Sequence, residues 1–420
     1  MLKAGSLLYA VFIALIISTL IAFFISYTQY SNRHIDQNRG RLQALSYLAS
    51  GMAYLKADTI NQPWSEKLLL FENEIGSNVE LSSDYWGVFP LIEAKSWFKR
   101  DTFYKAAVAG YSRLAEYSST VLYLANHNQA LALAGHSRIN GDAYLSSKGV
   151  KRAYIEGRSF YGKNMLSGKL HLSKRKAPSI ASNVRVALNQ VLNSTVPRNV
   201  DSVIHFKRLG QNIILNRSFR KTTLGVYGQD AIDLNGGELK GRIVVKSASE
   251  IYIGSNLKTE DIVFVAPKIT VESGFKGSLQ LIASDSIIIG KNCTFTYPSS
   301  IAINYNGIEG GYIELGEQSV LYGDVMLLTS SFLDQESLLT ISKGAKVVGN
   351  VYSAGKLQVK GSVLGTAIAD KLYLKQNLSV YENHLLDGVL DVTERPNEYL
   401  SSGIIEKWDR DTKEIIKWLD

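Results

Sequence analysis

The C-terminal half of the chain repeats a short step in which two apolar residues flank a single residue. The steps fall at Ile251/Ile253, Ile269/Val271, Ile287/Ile289, Ile313/Leu315, Leu339/Ile341, Leu357/Val359 and Leu372/Leu374. Such alternation is typical of a β-strand with one buried face. A strand that returns after about 18 residues predicts a coil that stacks on itself, a parallel β-helix with three short faces to each rung.

Two of the intervals are longer than the others, from Ile287 to Ile313 and from Ile313 to Leu339. Each predicts one inserted loop, at 304–311 and at 330–337. Insertions in a repeat project from one face, where they contact partners. We therefore take Asn304, Tyr305, Asn306, Phe332 and Leu333 as candidate interaction residues. The alternative is that both loops are variable segments without a role.

The N-terminal pattern is different. No residue from Ala4 to Asn32 is charged, and Ser6 to Tyr27 is largely apolar. This stretch is long enough to cross about 30 Å of hydrocarbon, so it predicts a retained membrane anchor. A cleaved signal peptide is the alternative, but its basic region would be only Met1-Leu-Lys and no small-x-small cleavage site follows a short apolar core.

The helical pattern continues beyond the apolar span. Apolar residues at helical spacing follow it, namely Leu42, Leu45, Leu48, Ala49 and Met52, and the first proline is Pro63. One helix of about 50 residues, about 75 Å long, is therefore predicted. Its second half is amphipathic and is expected to pack on the first globular domain.

We predict a mainly β protein. The expected order is a leader and transmembrane helix (1–28), its amphipathic continuation (29–60), a small α/β module (61–125), a parallel β-helix (126–390) and a C-terminal segment (391–420). The glycine-rich stretch from Leu131 is interpreted as the first coils of the β-helix. Residues 176–202 interrupt it with a short helix, starting near Ser179, that projects as an arm.

The C-terminal segment has two interpretations. Its apolar residues fall partly at helical spacing, and we expect it to cap the open end of the coil, because an uncapped end exposes edge strands. The alternative is an amphipathic helix that docks on a partner. Its contact residues would be Ile405, Trp408, Ile415 and Trp418.

Charge and chemistry change this picture little. The chain has 46 Lys and Arg against 38 Asp and Glu, a net charge of +8 that we interpret as solvated surface, with anionic lipid, polysaccharide or nucleic acid as the alternative. Nucleic acid is not expected as a partner. The one cysteine, Cys293, is expected to be a small buried residue. The six His residues show no ligand spacing, so no metal site and no cofactor are predicted.

No catalytic motif is present. The acidic residues nearest to the two inserted loops are Glu314, Asp324, Asp334 and Glu336, and their spacing matches no carboxylate pair that would serve as acid and base. Nucleophile elbows, phosphate loops and dinucleotide fingerprints are absent from the sequence. We therefore expect a non-catalytic protein, with a polysaccharide-binding or polysaccharide-cleaving β-helix as the least favoured interpretation.

Two family resemblances refine the expectation. The segment Gly349-Asn-Val-Tyr-Ser-Ala-Gly-Lys-Leu-Gln-Val-Lys-Gly-Ser-Val-Leu-Gly resembles the rungs of bactofilins, over residues 340–375. Bactofilins are polymer-forming β-helix scaffolds without catalytic residues. The resemblance implies architecture, and a membrane-tethered bactofilin-like cytoskeletal scaffold is the alternative function.

The second resemblance covers residues 1–56. A short leader, an apolar helix and an amphipathic continuation of the kind Leu42-Gln-Ala-Leu-Ser-Tyr-Leu-Ala-Ser-Gly-Met-Ala are similar to minor pilins and K-type pseudopilins of type IV pilus and type II secretion machines. This resemblance implies leader cleavage between Gly5 and Ser6, and other pilin-like or secretion-system subunits as partners. The sequence departs from major pilins at Ala10, where they carry Glu, and lacks Phe-Thr-Leu after the Gly.

The expected function is a membrane-anchored structural subunit of a bacterial envelope filament or secretion machine. The pilin resemblance implies a single-pass inner-membrane protein whose body lies in the periplasm or outside the cell. The positive-inside rule favours the cytoplasm instead, because Arg33, Arg39 and Arg41 follow the span while only Lys3 precedes it. A polysaccharide is a further candidate partner.

Overall fold

The structure is a computed structural model that describes residues 4–57, 68–70, 77–193, 202–209, 212–329, 336–405 and 408–419. Within these ranges there are two α-helices, α1 (Ala4–Ala57) and α2 (Ser182–Asn193), and two short 3-10 helices, Ala115–Tyr117 and Phe206–Arg208. The other regular elements are strands. The chain is therefore mainly β with one long N-terminal apolar helix, as the sequence predicts.

The strands that precede α2 form two groups. The first group is β1 (Leu68–Leu70), β2 (Ser77–Trp86), β3 (Phe89–Phe98) and β4 (Asp101–Arg113). The second is β5 (Thr120–Leu124), β6 (Leu131–Ala134), β7 (Arg138–Asn140), β8 (Asp142–Leu145), β9 (Val150–Arg152), β10 (Tyr154–Ile155), β11 (Arg158–Ser159) and β12 (Leu170–Leu172).

The strands that follow α2 form the main coil and end in one separate strand. They are β13 (Ser202–His205), β14 (Ile213–Arg217), β15 (Leu224–Gly228), β16 (Ile232–Gly241), β17 (Ile243–Ser247), β18 (Glu250–Glu260), β19 (Ile262–Val271), β20 (Lys276–Gly277), β21 (Leu279–Ile289), β22 (Thr294–Tyr305), β23 (Tyr312–Leu315), β24 (Val320–Thr329), β25 (Leu338–Ile341), β26 (Lys346–Val359), β27 (Ser362–Gln376), β28 (Ser379–Glu382), β29 (His384–Leu386), β30 (Val389–Asp391) and β31 (Asp409–Leu419).

The chain divides into two compact units. The first contains the described parts of 1–55, 66–82 and 93–105, and the second contains the rest. A five-stranded sheet has the order β1-β2-β3-β4-β31. Between residues 68 and 125 the described chain forms strands and one 3-10 helix, so the expected α/β module has no α-helix of its own there. In the first unit the α-helix that packs on these strands is α1.

The C-terminal segment forms strand β31 where a helix was one expectation, and that helix prediction is wrong. β31 pairs antiparallel with β4, with Trp418 opposite Ala107 and Ile415 opposite Ala109. The β-branched Thr412, Ile415 and Ile416 favour an extended strand. The edge of β4 supplies the backbone partners, so this segment pairs with β4 rather than with an end of the coil.

The predicted coil is present in the second unit. The inward steps of the repeat stack in register from Ile251 through Ile269, Ile287, Ile313, Leu339 and Leu357 to Leu372. Ile232 extends this ladder by one rung at its start. Both of the longer intervals keep the ladder in register. In the first interval the extra residues leave the coil between β22 and β23. Cys293 is buried in the same core, as predicted.

Two further ladders give each rung its three faces. One runs through Leu281, Ile301 and Val325, and the other through Thr294, Val320 and Lys346. At the corner between these two faces, Gly323, Gly349 and Gly365 stack with φ of 148°, 151° and 154°. A Cβ atom on Gly365 would lie 1.9 Å from the carbonyl oxygen of Gly349. Only glycine fits this corner.

Residues 120–172 belong to the same β-helix, but they are not its first coils in space. Strand β5 pairs with β27, β6 with β29 and β7 with β30, so this segment stacks on the last rungs of the chain. Strands β8, β9 and β12 then extend the stack further. The order of stacking therefore differs from the order of the sequence, because backbone pairing joins segments that are far apart along the chain, such as Leu122 and Ala367.

The predicted interruption carries the chain back along the coil. The Tyr352 hydroxyl donates to the Pro178 carbonyl at 3.1 Å, the Asn304 side chain donates to Asn189 at 2.7 Å, and Lys246 donates to the Val191 carbonyl at 3.0 Å. These three partners lie on successively earlier rungs. The α2 helix, which begins at Ser182, buries Val184, Ala187 and Leu188, so the expectation of a projecting arm is wrong. Its apolar face covers the coil instead.

Replacement of Tyr352 by Phe is expected to reduce the loss of stability at high pH. Burial raises the pKa of Tyr352 to about 12, whereas an unfolded tyrosine ionises near pH 10. Burial of the neutral phenol therefore contributes fully to the free energy of unfolding below about pH 10. Between about pH 10 and pH 12 the free energy of unfolding falls by about 2.7 kcal/mol as Tyr352 ionises. Chemical denaturation at a series of alkaline pH values measures this.

The matched control is Tyr322→Phe, because Tyr322 is an exposed residue of β24. The control should follow the parent protein over the whole range. If Tyr352→Phe also follows it, ionisation of Tyr352 does not limit stability.

Candidate functional site

The first half of α1 presents a continuous apolar surface. Every residue from Gly5 to Tyr30 is exposed, and none is charged. By length and composition this helix is able to cross a membrane. The hydroxyls of Ser18, Thr19, Ser26 and Thr28 donate back to carbonyls three or four residues earlier. Such bonds satisfy hydroxyl groups in a hydrocarbon environment.

The candidate leader residues lie in the first turns of this helix. Gly5 and Ser6 are both exposed and helical, and no atom lies within 4 Å of a Cβ built on Gly5. Whether a peptidase cleaves between them stays a prediction.

The second half of α1 lies against the sheet of the first unit through a stripe of buried residues, of which three are small and three are large and apolar. The buried positions are Gly40, Ala44, Leu48, Gly51, Met52 and Leu55. A Cβ on Gly40 would lie 2.2 Å from the Phe98 ring, and one on Gly51 would lie 2.6 Å from Leu81. The absent side chains therefore let the helix backbone approach the strands closely.

This stripe differs from the face predicted by the sequence. Leu48 and Met52 are buried as expected, but Leu42, Leu45 and Ala49 are exposed. The two glycines are the reason, because close approach at Gly40 and Gly51 rotates the contact face away from the larger leucines.

A charged pair lies beside the stripe. Arg41 reaches Asp101 at 2.7 Å, and the hydrogen bond from Arg41 lowers the pKa of Asp101. Both groups are exposed, so this pair adds little stability. The packing of the stripe therefore dominates the contact between α1 and the sheet.

Replacement of Gly40 by Ala is expected to destabilise the first unit. In an exposed helix the change would stabilise by about 1 kcal/mol, but here the added methyl would overlap the Phe98 ring. We expect a loss of about 1–3 kcal/mol, typical of overpacking. Thermal unfolding of the full chain in detergent measures it.

The control and the rescue are both available in the chain. Ser50→Ala, on an exposed position of α1, should be neutral or slightly stabilising. Gly40→Ala combined with Phe98→Leu should lose less stability than the sum of the single variants, because the ring that overlaps the new methyl is gone. Additive losses would contradict the contact.

The second unit contains a buried line of polar side chains that the sequence did not reveal. It runs along the outer side of one face through Gln280, Ser300, Asp324, Asn350 and Thr366, which we call the polar column. All five are less than 5 % exposed. Earlier rungs carry Val244 and Val263 at the same register positions.

The first residue of the polar column, Gln280, binds a backbone turn. Gln280 donates through its amide nitrogen to the Trp86 carbonyl at 2.7 Å and accepts from the Val88 N–H at 2.9 Å. Gly87, between them, has φ of 64°, and a Cβ there would lie 2.1 Å from the Gln280 oxygen. The Trp86 indole donates to the Asp261 carbonyl at 2.8 Å. This turn is therefore fixed by side chains of the coil.

The middle of the column contains the carboxyl group of Asp324. One Asp324 oxygen accepts from the Ser402 N–H at 2.8 Å and from its hydroxyl at 2.7 Å, and the other accepts from the Asn350 amide at 3.0 Å and from the Tyr399 hydroxyl. Burial raises the pKa of Tyr399. Asp324 is thus enclosed by donors and has no access to solvent.

Arg113 joins the column to the C-terminal segment. Its guanidinium donates to Asn350 at 3.0 Å, to Thr366 at 3.2 Å and to Asp409 at 3.1 Å. Both side chains of the Arg113–Asp409 pair are nearly fully buried. Burial raises the pKa of Asp409, and Arg113 opposes that rise. The Arg113 guanidinium also lies over the Trp408 ring, which stacks on Tyr117 with ring centroids 4.9 Å apart, and these contacts help to bury Trp408.

Replacement of Arg113 by Met is expected to destabilise the second unit by about 3–5 kcal/mol, because it leaves the Asp409 charge buried without its partner. Arg113→Met combined with Asp409→Asn should lose less, since no unpaired charge remains. Denaturant unfolding measures both. Lys291→Met is the control, because its pair with Glu317 is exposed and should contribute less than about 1 kcal/mol. A double variant as unstable as the sum of the singles would contradict the pairing.

The candidate interaction residues of the two inserted loops differ in position and exposure. Asn304 and Tyr305 are not loop residues; they end strand β22, are buried, and pair in register with Leu328 and Thr329. Asn306 is exposed in the loop that follows, with Ile308 beside it. Phe332 and Leu333 lie outside the described residues. The extra residues of the first insertion therefore begin two positions later than expected, because β22 extends farther.

The candidate docking residues of the tail are mostly occupied within the chain. Ile405 is buried and bridges Ile180, and Trp408 is buried beside Arg113. Ile415 is half-buried on β31, and Trp418 is 49 % exposed. Only Trp418 of this set retains a large solvent-facing surface.

The four carboxylates considered for catalysis have different surroundings. Asp324 is buried in the polar column, Glu314 accepts from the Tyr312 hydroxyl at 2.7 Å, and Glu336 pairs with Lys356 at 3.1 Å. Asp334 lies outside the described residues. A cavity of 260 Å³ lies between α2 and the coil, lined by Tyr85, Val191, Val244 and Val263 among others. It contains none of these carboxylates.

Comparison with known proteins adds little to this geometry. No family model matches the chain, and no curated protein matches it. Among solved structures, the chain is similar to the crystal structure of the competence-associated pilin ComZ from Thermus thermophilus, with 11% identity and a TM-score of 0.24, over 90% of this chain and 98% of that one. The two chains superimpose poorly at this TM-score, so function is inferred from the residues of this chain.

Proposed function

We propose that the chain is a membrane-anchored, non-catalytic structural subunit of a pilin-like assembly of the type IV pilus or type II secretion class. The observation that carries the proposal is α1, a helix of 54 residues whose Gly5–Tyr30 half is uncharged and exposed. Water disfavours an apolar surface of this extent. A bilayer, or a bundle of similar helices, would cover it.

The second half of α1 supports lateral assembly. Its buried stripe packs on the sheet of its own unit, while Leu42, Leu45 and Tyr54 are exposed elsewhere on the helix. These side chains offer apolar contacts to helices of neighbouring subunits just beyond the membrane span. Other pilin-like subunits are therefore the proposed partners.

The proposed location is the inner membrane, with the body in the periplasm or beyond. Pilin-like assembly requires this orientation. Arg33, Arg39 and Arg41 favour the opposite one by the positive-inside rule. Protease access to the C-terminus in intact spheroplasts decides between the two orientations.

A non-catalytic role agrees with the surroundings of the carboxylates. An acid and a base must face one substrate across a shared cleft. Asp324 is enclosed by five donors, and Glu314 and Glu336 have separate partners. The column in which Asp324 lies holds the second unit together, which is a structural role.

Leader processing tests the proposal. When the protein is produced together with a prepilin peptidase, we expect the mature chain to begin at Ser6, and Gly5→Val to abolish cleavage because it adds a branched side chain directly before the proposed scissile bond. Mass spectrometry of the amino terminus measures this. Ala4→Val is the matched control and should still be processed. An intact amino terminus in the parent protein would count heavily against the pilin-like assignment.

The alternative function, a bactofilin-like scaffold, stays a prediction. It requires end-to-end stacking of coils into filaments on the cytoplasmic side. Electron microscopy of the full chain in detergent at high concentration tests it. Filaments with a repeat equal to the coil length would favour the scaffold over the pilin-like subunit.

A further inference from the structure

The net positive charge of the chain is concentrated in one short segment, residues 148–176, which we call the terminal rung. It contains Lys148, Lys151, Arg152, Arg158, Lys163, Lys169, Lys174, Arg175 and Lys176, and one acidic residue, Glu156. Nine positive charges and one negative charge give +8, equal to the net charge of the whole chain. The remaining residues are therefore balanced, with 37 basic and 37 acidic side chains.

The terminal rung forms an end face of the β-helix. Strand β9 pairs with β6, Ser167 bridges Asn140, and β12 pairs with β8, so the rung stacks on the one below it over all three faces. Among the described residues, no strand pairs with its outer edge. Six of the nine basic residues therefore lie at the end of the coil. Lys174, Arg175 and Lys176 begin the return along its side, where the Tyr123 hydroxyl bonds the backbone of Lys174 and Lys176.

Most of this charge faces solvent. Arg158 pairs with Asp387 at 2.6 Å, and the single carboxylate of the rung, Glu156, accepts from the Asn377 amide at 2.8 Å. The other eight Lys and Arg residues are exposed. An anionic partner would therefore meet a surface that is predominantly positive.

Apolar and aromatic side chains lie among these charges. Tyr154 is 73% exposed, Tyr161 57%, Leu170 48% and Leu172 70%. Leu378 is fully exposed at the tip of the β27–β28 hairpin, next to the Asn377 that bonds the rung. Exposed leucines are not needed for a solvated surface, and they are unfavourable at a free sheet edge.

We infer that the terminal rung docks on an anionic lipid surface. Lysines and arginines attract acidic headgroups, tyrosines settle at the level of the headgroups, and leucines insert toward the acyl chains. The combination favours lipid over an acidic polysaccharide or a nucleic acid, because those polymers have no apolar interior in which the side chains of Leu170 and Leu172 would be buried. This contact would be separate from the anchor formed by α1.

A simpler role for the lysines is protection of the edge, since charged edge strands keep sheets from pairing with other copies. That role accounts for the charge but not for the leucines and tyrosines beside it, which would promote association. The two roles predict different behaviour when the lysines are removed, and the experiment below separates them.

The experiment uses the full chain embedded through α1 in nanodiscs of phosphatidylcholine, so that the anchor is occupied. Capture of fluorescent vesicles is then measured, with vesicles of equal parts phosphatidylglycerol and phosphatidylcholine against vesicles of phosphatidylcholine alone. We expect capture of the anionic vesicles only, and weaker capture at high salt. Equal capture of both vesicle types, or of neither, overturns the proposal.

The variants test charge and insertion separately. Replacing Lys148, Lys151, Lys163 and Lys169 together by Gln should weaken capture on the order of several hundredfold, at about fivefold for each lysine. The control replaces four exposed lysines of other rungs by Gln, namely Lys258, Lys276, Lys343 and Lys346. It removes the same amount of positive charge. Leu172→Ser should weaken capture about tenfold with no change of charge.

Two other outcomes would overturn the proposal. If Leu172→Ser has no effect and a single-stranded oligonucleotide or an acidic polysaccharide displaces the vesicles, the rung is a site for a polyanionic polymer. If the terminal lysine variant associates into oligomers while it still captures vesicles as the parent does, the lysines only protect the edge.

Discussion

Backbone pairing between successive rungs is the constraint on which the structure depends. Each rung of a parallel coil has two edges of N–H and C=O groups, and every edge must be paired, covered or hydrated. The inward ladder from Ile251 to Leu372 supplies the apolar core that holds the rungs in register. Each added rung pairs with the edge of the rung before it. The ends and the irregular rungs therefore show how this β-helix differs from a uniform repeat.

The chain meets this constraint with segments that are far apart in sequence. The last rungs of the main coil are paired by β5, β6 and β7, which come before α2 in the chain. That arrangement requires a return path, and α2 provides it by lying along the coil with Lys246 donating to carbonyls of its last turn. A cation at a helix C-terminus is favourable. The interruption in the repeat is thus a structural part of the β-helix.

Periodic features could be predicted from the sequence, and features that depend on distant partners could not. The ladder residues were predictable because each repeats an inward position, and the uncharged span because its length alone is informative. The buried stripe of α1 could not be predicted, because the role of Gly40 and Gly51 depends on their close approach to Phe98 and Leu81, which are distant in sequence. The polar column was missed for the same reason. Gln280, Ser300 and Asp324 have the pattern of a solvated outer face, and only the turn at Gly87 and the segment around Ser402 bury them.

The distribution of charge constrains what can lie against the ends of the coil. Two terminal rungs that faced each other would bring positive charge against positive charge, which opposes head-to-head stacking. The opposite end begins with residues 202–217, whose basic residues are Lys207, Arg208 and Arg217, and Lys207 pairs with Asp230 at 2.7 Å. Charge therefore opposes contact between two terminal rungs but does not by itself prevent head-to-tail stacking. At the terminal rung it favours an anionic occupant.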